Sequence, residues 1–262
     1  MSQRKRVLIL LAVTFAAVTV AVCWPRVPQS VSYHNFADQR QAFGIPNFLD
    51  VVSNLPFLVA GVYGLIVLRR SRFHDPQERV AYAILFAAVG LTCFGSSYYH
   101  LRPDNATLFW DRLPMTLAFT SFLSAMIAER LSIKAGLILL LPFLVAGLGS
   151  LMYWRWSESV GRGDIRPYIV VQFYPLLAIL PLLALFPPRY SRQSDLLVVF
   201  VLYGGAKLLE WGDRLVFRVG GVVSGHTLKH LAAASACYWI ARMVRKRIPI
   251  PAAGSEARGS AA

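Results

Sequence analysis

Two histidines four residues apart, His226 and His230, open the last apolar stretch of the chain in Gly225-His226-Thr227-Leu228-Lys229-His230. On a helix that spacing places both imidazoles on one face, one turn apart, where a single helix can give a metal ion two nitrogens. A third ligand is offered far upstream by His100, in Gly95-Ser96-Ser97-Tyr98-Tyr99-His100, and Asp111 follows eleven residues later in Phe109-Trp110-Asp111-Arg112. Three neutral imidazoles on one zinc ion leave the fourth tetrahedral position for water, the ligand count of a catalytic rather than a structural site. Asp111 could then act as general base or hold a ligand ring as acceptor, and Ser96, one turn before His100, could donate to an oxyanion on an attacked carbonyl. At membrane depth such a centre suits hydrolysis of an amide or ester bond in a lipid. Each residue also has a plainer use: a hydrogen-bonded histidine at a helix end, a surface ion pair of Asp111 with Arg112, a small packing residue at Ser96.

The elements that must position these groups are long apolar helices. Of 262 residues 56% are apolar and 15% charged, against about 25% charged in a soluble domain, so the chain reads as an all-α, polytopic transmembrane bundle. A net charge of +14 raises nucleic acid as a partner, but the basic residues fall in short clusters between apolar runs, which membrane orientation explains better. Cys23, Cys93 and Cys237 show no paired spacing, and neither a disulfide framework nor a thiolate site follows from them.

The spans expected from hydropathy are 7–23, 47–68, 80–99, 108–128, 135–153, 168–186, 196–217 and 225–244. The first follows Arg4, Lys5 and Arg6 and reads as a retained helix, its apolar part being longer than the usual core of a cleaved signal peptide. Asp50, Ser53 and Asn54 share a helix face and should point into the bundle. Trp154 and Trp156, in a loop expected over 154–167, have the character of interfacial anchors. Lys207 and Glu210, three apart, can neutralise each other, with Asp213 in the same span. With the N-terminus inside, cytoplasmic flanks hold fifteen basic residues and the opposite segments ten, so both termini are expected in the cytoplasm and the histidines towards the other side.

The ordered set Ser96, His100, Asp111 and His226/His230, with Asn47-Phe48-Leu49-Asp50-Val51-Val52-Ser53-Asn54-Leu55 at the first helix of the shared region, resembles the alkaline ceramidases and their superfamily, which includes the progestin and adiponectin receptors. The resemblance covers roughly 33–244. It implies a seven-helix domain (33–247) after an extra N-terminal helix and loop (1–32); the small-residue stretch that follows, 248–262, reads as a disordered tail. It further implies zinc on His100, His226 and His230, catalytic roles for Ser96 and Asp111, and hydrolysis of a ceramide-type amide to a fatty acid and a sphingoid base. Family ceramidases also bind Ca2+ through an acidic, Trp-containing N-terminal segment. Here the corresponding stretch, Tyr33 to Arg40, has one carboxylate, Asp38, and Asn47 stands where a further acidic ligand is expected, so calcium and ceramide itself are where the chain departs from the pattern. Two other classes fit parts of the same residues. One is a non-catalytic receptor or lipid-binding protein with structural zinc. The other is a transporter using Lys207, Glu210 and Asp213 as a charge relay, against which stands the lack of inverted repeats.

Overall fold

The computed structural model describes residues 1–251 and is all-helical among them. The chain runs through α1 (Gln3–Cys23), a 3-10 turn at Val31–His34, α2 (Phe48–Val52), α3 (Leu55–Arg70), α4 (Arg79–Leu101), α5 (Asn105–Arg130), α6 (Ile133–Ser159), α7 (Arg166–Leu185), α8 (Asp195–Trp211), α9 (Asp213–Gly220) and α10 (Gly225–Lys246). Five helical segments are long and apolar enough to cross a membrane: Gln3–Cys23, Phe48–Arg70, Pro76–Leu101, Ile133–Ser159 and Arg166–Leu185. Their outer faces present large apolar side chains, among them Phe15, Val59, Leu141, Val145, Leu177 and Leu180, as a lipid-facing surface requires.

Two expected spans are broken, each for a local reason. The first of them bends between α2 and α3 because Pro56 has no amide hydrogen and its ring excludes the carbonyl four residues back, so a new helix starts at Leu55. The span expected over 196–217 ends at Trp211 and restarts as α9 after Gly212. Asp213 is drawn out of any charge relay: its Oδ1 accepts from the His226 amide at 2.8 Å and its Oδ2 from the Ala37 amide at 2.9 Å. The expected loop over 154–167 is also shorter, since α6 continues to Ser159 and carries Trp154 into the interior at 1% exposure. Of the two anchors read from the sequence only Trp156 lies at the surface.

α5 packs at the centre, against α4, α6 and α7, and α10 lies against α3 and α8. Its capping box at Asp104 and Thr107 fixes where α5 begins and therefore the height of Asp111. α1 lies against α7, where Thr14 and Tyr174 share a hydrogen bond of 2.6 Å, and Arg166 ties its end by bonding the carbonyls of Val22 and Trp24. On the opposite side of the bundle Arg247 is buried between Tyr82 and Glu129, and Ile248 and Ile250 donate to Ser191 and Arg189. The tail expected over 248–262 is therefore held at 248–250, and its remainder, 252–262, lies outside the described residues.

Helix α4 touches α5 at Gly95, where an added Cβ would lie 2.2 Å from the carbonyl oxygen of Trp110. This contact lets Ser96 and Asp111 meet. Gly95→Ala is expected to cost about 1–3 kcal/mol through overpacking, read as a lowered unfolding midpoint in detergent, whereas Gly204→Ala, with nothing within 4 Å and in the interior of α8, should keep or raise the midpoint because alanine favours a helix over glycine. Equal midpoints for the two variants would contradict this helix contact.

Candidate metal centre

The last turn of α4 delivers His100, and the first two turns of α10 deliver His226 and His230. All three are buried, at 1%, 4% and 4% exposure, and one ligand atom from each lies within 4.8 Å of the others. They are the one group of three or more His, Cys, Asp or Glu among the described residues placed closely enough to hold a metal ion. His100 Nε2 and His226 Nε2 are 3.3 Å apart. Two nitrogens bound tetrahedrally to zinc at about 2.0–2.1 Å are separated by about 3.3–3.4 Å, so this edge already has the dimension a zinc ion needs.

The surroundings choose which nitrogen of His230 is free. Its Nδ1 meets Ser53 Oγ at 2.8 Å, and the Ser53 hydroxyl itself donates to the carbonyl of Asp50 at 3.1 Å. With that hydroxyl hydrogen committed, Ser53 accepts from Nδ1–H, and the lone pair of His230 resides on Nε2. This is the outer hydrogen bond that orients metal-binding histidines. Asn47, in a left-handed conformation that asparagine tolerates, donates its amide to the carbonyl of His100 at 2.8 Å and closes the end of α4. The start of α10 is held by Asp50, whose Oδ1 accepts from Thr227 at 2.6 Å, and by Asp213 on the His226 amide. The ring of Phe36 covers the cluster, 4.7 Å from the centroid of His100 and 4.5 Å from that of His226.

Ser96, Asp111 and His230 line one cavity of about 310 Å3. Ser96 stands beside Asp111, and no ion pair joins Asp111 to Arg112 among the described residues. Arg112 instead bonds Gln29 and packs on Trp154 and Tyr168. The cavity's polar groups gather at the histidine end, where Phe57 packs edge-on to His230, while Leu85, Val89, Phe122, Val199 and Ile240, two or more turns further along their helices, make the far end apolar. Lys207 and Glu210 pair at 2.8 Å, and Lys229 joins the same carboxylate at 2.6 Å, a closed triad rather than an open relay.

The two oxygen ligands considered for Ca2+ are otherwise engaged. Arg40 binds both oxygens of Asp38, at 2.8 and 2.7 Å, and holds this carboxyl below the usual carboxylate range, while the Asn47 side chain serves the His100 carbonyl. Neither Phe36 nor Ser53 stood out in the sequence as a partner of the histidines. A covering aromatic ring has no characteristic spacing, but Ser53, three residues after Asp50 on an inward face, carried a legible signal.

Purified protein is expected to carry close to one zinc per chain, and His226→Ala and His230→Ala should each lose it. Ser53→Ala, which removes only the orienting acceptor, should weaken zinc affinity by about 10–100-fold in a chelator competition. Unchanged stoichiometric zinc in both histidine variants would exclude the ligand set. The chain matches no family model, no curated protein and no solved structure.

Proposed function

We propose that this chain is a zinc-dependent intramembrane hydrolase that cleaves an amide bond of a lipid, as its resemblance to the alkaline ceramidases implies. The observation that carries the reading is that Ser96, Asp111 and His230, one of the three clustered histidines, line one cavity whose other end is apolar. A zinc ion on His100, His226 and His230 would supply Lewis acidity and lower the pKa of a water.

The protein's own groups do the rest. Asp111 takes a proton from the attacking water and returns it to the leaving nitrogen, so that the C–N bond breaks to a carboxylic acid and an amine. The Ser96 hydroxyl donates to the carbonyl oxygen as negative charge develops on it. Phe36 shields the His100/His226 side from bulk water, which strengthens the electrostatic interactions beneath it. The acyl chain occupies the apolar end of the cavity. From Lys229 to Ile240 along α10 that cavity wall runs about 16 Å, close to half of the roughly 30 Å hydrocarbon core, a length suited to the chain of an ordinary membrane lipid.

The same reading makes 33–247 the seven-helix catalytic unit, with α2 and α3 acting as one span and α1 as an added anchor. The excess of basic residues on the flanks joined to the N-terminus supports cytoplasmic termini and a site near the opposite surface.

Asp111→Asn should abolish hydrolysis of a lipid-amide panel while keeping zinc at the wild-type level, and Ser96→Ala should lower kcat about 10²–10³-fold. Normal turnover in Asp111→Asn would exclude it as the base.

A further inference from the structure

The polar end of the cavity carries charges for which the hydrolysis has no use. Lys207 and Lys229 share the single carboxylate of Glu210. Arg112 is 4% exposed, and its guanidinium lies 4.4 Å from the ring centroid of Tyr168 and 4.6 Å from that of Trp154. Its Nη2 donates to Gln29 at 2.6 Å, but no acceptor meets its Nη1, and no carboxylate pairs with it among the described residues. Three cations thus face two carboxylates, Glu210 and Asp111, along one cavity wall. A buried guanidinium without an anion is costly. Aromatic faces hold its plane in place and Gln29 takes one donor, but Nη1 is left without an acceptor, on a group whose geometry suits a carboxylate or phosphate.

We infer that the lipid received by this cavity carries an anionic group, a carboxylate or a phosphate, close to its amide bond, bound by Arg112 through its unpaired Nη1 with Lys207 and Lys229 adding attraction. The position of the amide rests on the hydrolase reading, whereas selection of an anionic amphiphile does not. Arg112 is then a specificity residue: it selects the head group, and Asp111, its neighbour in the chain, serves the reacting bond. The aromatic cage explains why a lysine would be a poor substitute, since an ammonium cannot stack between Tyr168 and Trp154 and still present two parallel donors.

The test is equilibrium binding to the detergent-purified full chain of two matched pairs, N-palmitoylglycine against N-palmitoylethanolamine and ceramide 1-phosphate against ceramide, with palmitate as a separate arm. At least one anionic member should bind about tenfold or more tightly than its neutral partner, as a charge-assisted hydrogen bond implies, and the favoured pair identifies carboxylate or phosphate. That ratio should fall towards one in Arg112→Gln and in Lys207→Gln, and recover in part in Arg112→Lys. A general loss of fold would lower both members together and leave the ratio in place; should Arg112→Gln not fold, the partly exposed Lys207 supplies the same comparison. Equal binding within both pairs or a ratio unchanged in the variants would overturn the inference, and palmitate binding as tightly as the anionic amides would overturn the placement of the anion beside an amide. Anionic preference without hydrolysis of any lipid amide would uphold this site and remove the hydrolase reading; hydrolysis of neutral and anionic amides with equal kcat/KM and no binding preference would do the reverse.

Discussion

Three buried imidazoles with their nitrogens turned towards one point are an arrangement that packing alone does not favour. With the Nε2 atoms of His100 and His226 3.3 Å apart, either a proton or a cation must lie between them, and burial at 1–4% exposure keeps water from taking that place. The neighbouring protein is organised to keep them there nonetheless. Ser53 fixes the tautomer of His230, Asp213 and Thr227 hold the start of α10, Asn47 closes the end of α4, and Phe36 covers the rings. A divalent cation bound there would be shared by all three rings and hold α4 and α10 together.

The same placement depends on close backbone approaches. Gly95 brings α4 onto α5 beside Asp111, and at Gly225 an added Cβ would lie 2.3 Å from the carbonyl of Leu209, so the histidine-bearing turn of α10 sits directly against α8. With α4, α5 and α10 locked in this way, the histidines, Ser96 and Asp111 reach one level of the bundle. The cavity below them is apolar for the same reason that its top is polar: helices crossing a hydrocarbon layer place charged groups near its surface and leave the middle to Leu, Val and Phe.

Much of this was legible in the residues. The i, i+4 histidine pair and the apolar runs define which helix carries two ligands, and the inward face of Asp50, Ser53 and Asn54 is buried at 0%, 5% and 0% exposure. The Lys207–Glu210 pair forms as its spacing requires. What the chain order hides is tertiary. Nothing local distinguishes Trp154, buried beneath Arg112, from Trp156 two residues on at the surface, because the difference is which face of α6 meets α5 and α7. Helix breaks at Pro56 and Gly212 were masked by continuous hydropathy, which records burial and lipid contact but not hydrogen-bond continuity. The third member of the charge triad, Lys229, comes from α10, well separated in sequence from the pair on α8.

Zinc-edge X-ray absorption on the purified protein reads the ligands of the proposed zinc centre of His100, His226 and His230. Three imidazole nitrogens at about 2.0–2.1 Å with one further light ligand are expected. A spectrum dominated by sulfur at about 2.3 Å, or wild-type protein that is folded and binds no zinc, would contradict it.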